Sequence, residues 1–387
     1  MGGAEYTGVT NTAFLYPHSS LHRLWRELLA DAGIEVNGSR PWDMQLKAPG
    51  VPERIFAEGS LGLGESYMDG AWEAQQPDEL ICRLLKARLH RRIHPSRLLL
   101  HALKARLLNR QTSKRAWQVG EAHYDLGNDF YAAMLDSRLT YTCGYWQDAT
   151  TLEQAQTAKL DLICRKLGLE PGMRVLDIGC GWGSFMGYAA EHYGVECVGV
   201  TISRKQAEWA RARYAGLPLE FRLQDYRELD EPFDRVVSVG MFEHVGHKNY
   251  RTYMEVAHRC LQNGGLFLLH TIGKNERHPH TDPWIDKYIF PNGELPSVGQ
   301  VGDAVDQLFV VEDLHNFGAD YDKTLMAWHA NFEQAWPRFR ERLGERFYRM
   351  WRYYLLACAG AFRARDIQLW QWVLAKGGVE QGYRRVS

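Results

Sequence analysis

The sequence predicts an α/β fold with a mostly parallel sheet, preceded by a small α+β domain. After about residue 120, short apolar strand candidates alternate with helical stretches. Continuous apolar strands buried between helices are typical of parallel sheets that are covered on both faces. In addition, the first of these strands runs directly into a glycine-rich turn, and ligands bind at such places at the carboxyl edge of a parallel sheet.

The amino-terminal region mixes short helical and turn signals. Leu21–Leu29 has helical spacing, and this pattern stops near Gly33. Strand-like pieces follow around Val36 and at Arg54–Phe56, and then comes the glycine-rich segment Gly59–Gly64, which predicts a turn. We interpret residues 1–82 as a small α+β domain in which no catalytic constellation is visible.

The next segment is strongly basic. Between Arg83 and Arg115, eleven Lys and Arg residues and no Asp or Glu are interleaved with leucines. A basic amphipathic helix is typical of elements that bind membrane surfaces or nucleic acids. The alternative is an ordinary linker helix whose leucines pack on a neighbouring domain. Because each Lys or Arg near an anionic leaflet contributes roughly 1 kcal/mol, half of these charges would suffice for reversible docking. We therefore interpret residues 83–120 as a basic helical linker.

Residues 121–387 carry the alternating pattern of a catalytic domain. Helical spacing separates the strand candidates, for example over Gln206–Tyr214 and Tyr250–Leu261. The predicted strands are Arg174–Ile178, Glu196–Val200, Leu219–Leu223, Asp234–Val239 and Leu266–Leu269.

The composition argues against several classes of protein. The seven cysteines are scattered, odd in number and without a C-x-x-C pair, which argues against a disulfide framework or a structural zinc site and for a reducing cytoplasm. The first residues lack the basic and apolar regions of a secretory signal. No apolar run approaches the ~18 residues that a membrane-spanning helix needs. We expect a cytoplasmic protein without a metal site that is soluble or sits on a membrane surface.

The strongest local signal is the run Val175–Ser184, in which a strand leads into a G-x-G-x-G turn and then a helix. Gly179, Gly181 and Gly183 let the backbone approach a ligand closely, and Asp177 offers a hydrogen-bond acceptor. The spacing differs from that of dinucleotide-binding and phosphate-binding loops. The run resembles motif I of the class I methyltransferases, and this resemblance implies a Rossmann-like fold with S-adenosylmethionine as the cofactor.

Further contacts to the same cofactor are expected after the next two strands. Such folds hold the ribose after the second strand, although this chain lacks the acidic residue that is usual there. After the third strand, Asp225 would accept a hydrogen bond from the adenine amine, but it also fits a helix N-cap or a turn residue. The predicted cofactor-binding residues outside the glycine-rich run are Tyr141, Thr142, Thr201, Ser203, Gln206, Gln224, Asp225 and Tyr226. A preceding segment that would cover the cofactor contains Glu121, His123, Tyr124, Asp125 and Asn128.

Several longer runs resemble the bacterial cyclopropane-fatty-acyl-phospholipid synthases in order and spacing. These runs are Tyr141–Trp146, Ser238–Gly246, Leu269–Gly273, Asp282–Pro291, Asn316–Leu325 and Ala357–Arg363. The resemblance covers about residues 115–375, and the amino-terminal domain is similar to that of the full-length bacterial synthases, which makes it lipid-associated. The implied activity is the transfer of a methylene group from S-adenosylmethionine to the cis double bond of an unsaturated acyl chain in a membrane phospholipid.

The implied chemistry constrains the pocket. An alkene is a poor nucleophile, so the methyl donor must be a sulfonium, and methyl attack leaves a carbocation on the acyl chain. The pocket must exclude water, which would trap the cation, and aromatic faces stabilise positive charge. Candidate walls, each of which also fits a core position, are Tyr145, Trp146, Phe242, Trp284 and Tyr288.

Ring closure requires a base that takes a proton from the transferred methyl group. In the family this base is implied to be a bound bicarbonate ion. A Glu beside such an anion needs a shared proton or hydrogen-bonding partners, which His and Tyr side chains can supply. The matching ligand positions are Cys143, Glu243, His270, Tyr321 and the backbone of Ile272. Cys358 is also an active-site position in the family, but the reaction needs no nucleophile and a buried, inert thiol fits this residue equally well.

The implied substrate suggests a membrane surface as a partner. Burying a CH₂ group is worth about 0.8 kcal/mol, so the pocket should open directly onto the bilayer rather than draw the acyl chain through water. Candidate docking surfaces are Arg83–Arg115 and the aromatic-basic segment Phe347–Tyr354. We therefore expect peripheral association of a cytoplasmic protein with the anionic surface of the inner membrane and no nucleic-acid partner. A homodimer is compatible with the appended domain and the basic helix.

Two other functions stay open at this point. One is a methyltransferase for a soluble amine, which would not need a bicarbonate site, so the intact set of ligand positions argues against it. The other is a non-catalytic lipid-binding or RNA-binding protein that uses the basic stretch.

Overall fold

The computed structural model describes residues 20–89, 126–277 and 281–386. The predicted cofactor-covering residues Glu121, His123, Tyr124 and Asp125, and the part of the basic linker beyond Leu89, lie outside these ranges.

Residues 20–89 form a small body of helices and a two-stranded antiparallel ribbon, made of β1 (Gln45–Leu46) and β2 (Trp72–Glu73). The predicted helix over Leu21–Leu29 is confirmed. The helices are Ser20–Asp31, Val51–Glu58, Ser60–Met68 and Pro77–Lys86.

Two local predictions for this body are wrong. Arg54–Phe56 lies within a helix rather than a strand, and all of Gly59–Gly64 beyond the first glycine belongs to the next helix. The physical reason is close packing. A Cβ at Gly62 would lie 2.4 Å from the Arg54 carbonyl oxygen, and a Cβ at Gly64 would lie 2.3 Å from the Trp284 ring. These glycines allow a neighbouring helix and the Trp284 indole to approach the backbone closely. In the sequence, such a glycine-rich segment predicts a turn, so the packing role could not be recognised.

A seven-stranded sheet forms the centre of the rest of the chain. Its strands are β3 (Arg174–Ile178), β4 (Glu196–Thr201), β5 (Leu219–Leu223), β6 (Phe233–Val239), β7 (Leu261–Lys274), β8 (Val310–Asn316) and β9 (Ile367–Ala375). Their spatial order is β5-β4-β3-β6-β7-β9-β8. The first five strands in this order are parallel, and β9 runs antiparallel to both of its neighbours. The five predicted strands and the mostly parallel sheet are confirmed, whereas β8 and β9 were not predicted.

Helices cover both faces of this sheet, and the strand sequences explain why. Along β3, Val175 packs into the apolar core on one face, while Leu176 packs into the core on the other. Both faces are therefore buried, as expected of a parallel sheet. The helices are Asn128–Met134, Leu152–Lys166, Ser184–Tyr193, Arg204–Arg213, Tyr250–Cys260, Pro283–Tyr288, Val298–Val305, Ala319–Ala335 and Arg340–Arg363.

The long helix Arg340–Arg363 joins the amino-terminal body to the sheet domain. A Cβ at Gly360 would lie 2.3 Å from the Asp78 carbonyl oxygen, so this helix packs closely on the helix Pro77–Lys86. The Arg363 guanidinium donates to Asp78 at 2.7 Å and to Asp322 at 2.9 Å. One side chain thus connects three helices.

The aromatic-basic segment Phe347–Tyr354 lies on this helix, and three of its five aromatic side chains are too buried to dock on a membrane, while Phe347 and Tyr348 are half-buried. Trp351, Tyr353 and Tyr354 are each at most 4% exposed. Arg349 donates to Glu73 at 2.6 Å, within the amino-terminal body. Tyr353 packs on Tyr67 of this body, so part of the segment connects the two parts of the molecule. Separately, no helix within the described ranges is both long enough and apolar enough to span a bilayer.

Candidate active site

The sheet topology creates a switch point between β3 and β6. From β3 the chain continues through β4 to β5 on one side, and then returns to place β6 on the other side of β3. Ligands bind at the carboxyl edge of parallel sheets where the strand order reverses in this way. The glycine-rich turn after β3 and the loop after β6, which contains Glu243, therefore lie side by side.

The glycine-rich turn has the backbone that only glycine adopts readily. Gly179, Gly181 and Gly183 have φ angles of 90°, 54° and 78°, which lie in the left-handed region. A Cβ at Gly179 would lie 2.5 Å from Met241, and one at Gly183 would lie 2.7 Å from Phe221. A Cβ at Gly181 would have no atom within 4 Å. The outer glycines therefore allow tight packing, while the middle one faces open space that a ligand can occupy.

Asp177 lies at the end of β3, beside this turn. Its side chain is buried, and Oδ1 has no hydrogen-bond partner among the described residues. Burial raises the pKa of the carboxyl to about 7, and the nearby Lys159 opposes this shift. Since buried polar atoms are almost always hydrogen-bonded in proteins, the open acceptor fits a ligand that brings its own donor. The predicted cofactor fits the turn on this ground.

Polar residues after β4 and β5 continue the same edge. The Ser203 amide donates to Thr201 Oγ1 at 3.1 Å, and the Gln224 amide donates to the Thr201 carbonyl at 3.1 Å. Ser203 also caps the following helix by accepting from the Gln206 amide at 3.4 Å. These four predicted cofactor residues are thus joined by hydrogen bonds along the carboxyl edge of the sheet.

Asp225 is occupied within its own loop. Its carboxylate caps a short 3₁₀ turn by accepting from the Arg227 amide at 3.0 Å, and it also accepts from the Arg227 guanidinium at 2.9 Å. The cap that the sequence offered as an alternative is therefore present, and the adenine contact stays a prediction. The neighbouring Tyr226 is buried against Tyr253, and its hydroxyl has no partner among the described residues.

The segment before the sheet reaches the same edge from the other side. A Cβ at Gly240 would lie 2.6 Å from the Thr142 methyl group, so Thr142 packs on the loop after β6. The hydroxyls of Tyr141 and Tyr354 are hydrogen-bonded at 3.0 Å. The Trp182 indole in the glycine-rich turn donates to Asn128 at 3.0 Å, which places one of the predicted covering residues against the turn.

Glu243 stands in a 3₁₀ turn directly after β6. Its Oε1 accepts from the Ile272 amide at 2.7 Å, while Oε2 is buried without a partner among the described residues. This amide is available because β7 continues beyond the end of β6, where Val239 is paired with His270. Burial raises the pKa of the Glu243 carboxyl to about 7, against the effect of the Ile272 hydrogen bond.

His270 lies inside β7, four residues before the strand ends, because β7 extends well beyond the predicted Leu266–Leu269. Its Nδ1 lies 3.2 Å from the side-chain nitrogen of Gln371 on β9, and its Nε2 has no partner among the described residues. Burial holds the pKa of the imidazole well below its ordinary value, so the ring is neutral at physiological pH. A neutral ring whose Nδ1 accepts from Gln371 carries its proton on Nε2, which can then donate into the site.

Cys143 and Tyr321 complete the predicted group. Both are buried, and the Cys143 sulfur lies 3.9 Å from the hydroxyl of Thr324, one turn along the helix from Tyr321. Burial raises the pKa of Tyr321 well above its ordinary value, and the nearby Cys143 and Glu243 raise it further. Tyr321 therefore stays a neutral hydroxyl donor beside the other two. Tyr321, Cys143 and Glu243 thus lie near one another, and Glu243 takes up the Ile272 amide, while bicarbonate binding by these residues and His270 stays a prediction.

Cys358 lies close to this group, but its thiol is not activated. Burial raises its pKa to about 12, and a thiol is a nucleophile only as the thiolate. This environment supports the inert interpretation over the nucleophilic one. The described residues contain no group of His, Cys, Asp and Glu side chains arranged to hold a metal ion.

The aromatic candidates divide between core and site. Phe242 stacks on Tyr250 and is fully buried, and Trp284 packs on Met68 and Tyr353 at the boundary with the amino-terminal body. The indole of Trp146 donates to Thr324, next to Cys143. The sequence reasoning missed two polar residues of the site, Gln371 and the buried Lys159. The only sequence signal for Gln371 is that it interrupts the apolar run of β9.

Comparisons with known sequences agree on one family. The family model described as mycolic acid cyclopropane synthetase matches residues 111–372. The chain is 56% identical over 369 residues to the cyclopropane-fatty-acyl-phospholipid synthase of Escherichia coli (strain K12), covering 95% of this chain and 96% of that protein. It is 38% identical over 275 residues to cyclopropane mycolic acid synthase 1 of Mycobacterium tuberculosis (strain ATCC 25618 / H37Rv), covering 66% of this chain and 96% of that one.

Solved structures agree with these matches. The mycolic acid cyclopropane synthase CmaA1, complexed with SAH and CTAB, is 37% identical and superposes with a TM-score of 0.63, covering 67% of this chain and 98% of that one. Coclaurine N-methyltransferase, bound to N-methylheliamine and SAH, has a TM-score of 0.68 at 24% identity, covering 81% of this chain and 99% of that one. The second likeness shows a shared fold alone. Together they confirm the predicted class I methyltransferase fold.

Proposed function

The chain belongs to the cyclopropane synthase family of S-adenosylmethionine-dependent methyltransferases, and we propose that it converts the cis double bond of an unsaturated acyl chain in a membrane phospholipid into a cyclopropane ring. The observation that carries the proposal is the buried group of Glu243, His270, Cys143 and Tyr321, which lies beside the glycine-rich turn at the switch point.

The glycine-rich side of this edge would hold S-adenosylmethionine, which supplies the methyl group when bound. The open acceptor of Asp177 suits the amino group of this molecule, and the space at Gly181 admits it without a clash. Thr201, Ser203 and Gln206 offer polar groups for the ribose. The adenine would lie beyond them, near Asp225 and Tyr226.

The other side of the edge would hold a bicarbonate ion, which supplies the base for ring closure when bound. His270 and Tyr321 are both neutral and can donate hydrogen bonds to an anion. One Glu243 oxygen accepts from the Ile272 amide, and the other would accept a hydrogen bond from the hydroxyl group of the ion. Cys143 would close the remaining side. Glu243, His270, Cys143 and Tyr321 would thus orient an anion mainly through hydrogen bonds.

The surroundings of this group exclude water. Cys143 is fully buried, and His270 packs against Phe317 at 5.9 Å between ring centroids. Tyr321 stacks on Phe362 at 4.5 Å. A carbocation formed on the acyl chain would therefore meet aromatic rings rather than solvent, which stabilises it and prevents its capture by water.

The proposed domain roles follow from the same substrate. Residues 121–387 would perform the chemistry, and residues 1–82 would associate with lipid. The basic linker over 83–120 would dock the protein on the anionic face of the inner membrane from the cytoplasm, as a monomer or a homodimer. Arg83 at its start is engaged within the body, since it pairs with Glu79 at 2.9 Å and lies over the Trp42 ring.

The test is turnover with a defined substrate. Purified protein, S-adenosylmethionine and bicarbonate are incubated with vesicles of a monounsaturated phospholipid, and the acyl chains are analysed by mass spectrometry. We expect a gain of one CH₂ at the double bond and a loss of activity when bicarbonate is removed. If the protein instead methylated soluble amines and left the lipid unchanged, it would be an amine methyltransferase. S-adenosylmethionine binding without any turnover would contradict both.

A further inference from the structure

Thr324 is a buried residue to which the proposed reaction assigns no role. It is 0% exposed and lies on the helix Ala319–Ala335, one turn beyond the proposed anion ligand Tyr321. Residues three apart are neighbours on the same side of a helix, so Thr324 and Tyr321 face the same surroundings. A buried hydroxyl is costly unless it is hydrogen-bonded. The partners of this hydroxyl therefore show what it does beside the site.

The Thr324 hydroxyl uses its whole hydrogen-bonding capacity. It accepts from the Gly144 amide at 3.1 Å and from the Trp146 indole at 2.9 Å, and it donates to the Asp320 carbonyl at 2.9 Å. A hydroxyl has one donor and two acceptor lone pairs, so these three contacts saturate it. The Asp320 carboxylate adds a further bond, because it accepts from the Trp146 amide at 2.8 Å. Three donors of one segment are thus held by two side chains of this helix.

The segment held in this way carries Cys143. The Cys143 sulfur lies 3.9 Å from the Thr324 oxygen, and the amide that Thr324 accepts from belongs to the next residue, Gly144. The opposite side of the segment is fixed as well. A Cβ at Gly144 would lie 2.9 Å from the Ala155 Cβ, so the backbone packs closely on the helix Leu152–Lys166. The segment therefore lies between two helices, and Thr324 ties it to the second of them.

We infer that Thr324 is a positioning residue for the anion site, because it fixes Cys143 relative to Tyr321. These two residues come from distant segments, and an anion that contacts both requires their separation to be set before it binds. Without the hydroxyl, the Gly144 amide and the Trp146 indole lose their acceptor, and the segment can move relative to the helix. This inference rests on the proposed function, because it assumes that bicarbonate binds between Cys143 and Tyr321.

The experiment measures turnover on vesicles of a monounsaturated phospholipid as a function of bicarbonate concentration, in buffer freed of carbon dioxide and with saturating S-adenosylmethionine. The proteins are the wild type, Thr324→Val and Thr324→Ser. Valine has nearly the shape of threonine but no hydroxyl, whereas serine keeps the hydroxyl. We expect Thr324→Val to raise the half-saturating bicarbonate concentration about tenfold, which corresponds to the loss of about one hydrogen bond. Thr324→Ser should stay close to the wild type.

The affinity for S-adenosylhomocysteine, measured by calorimetry, should change far less than the response to bicarbonate. The physical reason is that the neighbouring cofactor residue Thr142 is held separately. Its carbonyl accepts from Gln156 at 2.8 Å, and its hydroxyl accepts from Lys159 at 2.9 Å. If Thr324→Val does not fold, Thr324→Cys takes its place with the same expected result, because a thiol is a weak acceptor.

The matched control is Asn331→Ala, which removes another hydrogen bond between the same helix and a preceding segment. The Asn331 amide donates to the Met134 carbonyl at 2.9 Å, two turns beyond Thr324. This variant should keep the bicarbonate response of the wild type. Lower turnover of Thr324→Val at an unchanged half-saturating concentration, or the same increase in Asn331→Ala or Thr324→Ser, would overturn the inference and leave Thr324 a structural residue. Wild-type turnover that does not depend on bicarbonate would instead overturn the proposed anion site, and the absence of lipid turnover would overturn the proposed function.

Discussion

At the scale of single residues, burial controls the chemistry of the site. The same desolvation that raises the pKa of Glu243 to about 7 keeps His270 neutral and Tyr321 protonated. An edge built in this way contains hydrogen-bond donors and one titrating acid. It can therefore hold a small anion through hydrogen bonds from neutral side chains.

Glu243→Gln should retain cofactor binding and lose most product formation. The amide keeps the shape of the side chain and can still accept from Ile272, but it carries no charge that would make the bound anion more basic. We expect a loss of at least about tenfold in turnover, measured by mass spectrometry of the lipid, with an unchanged affinity for S-adenosylhomocysteine. Near-wild-type turnover would remove Glu243 from the catalytic group.

The pH profile provides a second readout of the same residue. Since the raised pKa of Glu243 is about 7, its ionised form accumulates only as the pH rises through this value. Turnover that needs the carboxylate should increase between pH 6 and pH 8, and this dependence should become weaker in Glu243→Gln. A profile of identical shape in both proteins would assign the titration to another group.

At the scale of elements, the glycine-rich turn and the extra length of β7 build the two halves of the site. The turn uses left-handed backbone to reach open space, and β7 outruns β6 so that the Ile272 amide is free for Glu243. The turn follows from where β3 ends, and the free Ile272 amide follows from where β6 ends beside the longer β7.

Gly181→Val should abolish binding of S-adenosylhomocysteine. A β-branched residue at a φ of 54° is strained by about 1–2 kcal/mol, and its side chain would enter the open space at the turn. The matched control is Gly172→Val, a glycine with a φ of 83° and open surroundings at the other end of β3. The control should lose similar stability and keep binding. Unchanged binding in Gly181→Val, measured by calorimetry, would place the cofactor elsewhere.

At the scale of the whole molecule, the amino-terminal body is connected to the site. Glu65 accepts from Lys287 at 2.5 Å and from Tyr288 at 2.7 Å, and it also pairs with Arg54. The segment that follows Tyr288 returns to the site, where the Glu294 amide donates to the Glu243 carbonyl at 2.8 Å. A contact in the amino-terminal body thus supports the loop that carries a proposed catalytic residue.

Glu65→Gln should weaken this connection. Although burial raises its pKa, hydrogen bonds from Lys287, Tyr288 and Arg54 lower the value to about 2. The stabilisation is therefore complete above about pH 4.5 and is lost as the pH falls towards 2. We expect a loss of about 1–3 kcal/mol in the free energy of unfolding at pH 7 and reduced turnover with unchanged cofactor affinity. Glu58→Gln, which removes a pair with Arg54 within one helix, should change neither by much.

Membrane docking also belongs to this scale. Replacing Arg91, Arg92 and Arg97, which lie outside the described residues, with Gln should weaken binding to anionic vesicles by up to about 3 kcal/mol at low salt, from roughly 1 kcal/mol per charge. Binding of the wild type should fall as salt rises, because the Debye length is about 8 Å at physiological ionic strength. Turnover on lipid in detergent should change far less. Equal sedimentation of both proteins with vesicles would make this stretch a plain linker.

The sequence by itself determined the class of the fold and the candidate residues for most of the site. The strands β3, β4 and β6 contain short apolar runs and β5 alternates apolar and charged residues, which are local properties of the sequence, and the glycine pattern after β3 is equally local. The resemblance of short runs to one family then selected Glu243, His270, Cys143 and Tyr321, which are separated by up to 178 positions in the chain.

The tertiary structure decided what depends on contacts between distant segments. It shows that Gly62 and Gly64 serve helix packing, that Trp351 and Tyr354 are internal, and that β9 inserts between β7 and β8. It also identifies Lys159 as a buried side chain that donates to Thr142, which no spacing along the helix Leu152–Lys166 indicates. The physical reason is that charge, burial and close packing are properties of surroundings, and the surroundings exist only once the chain has folded.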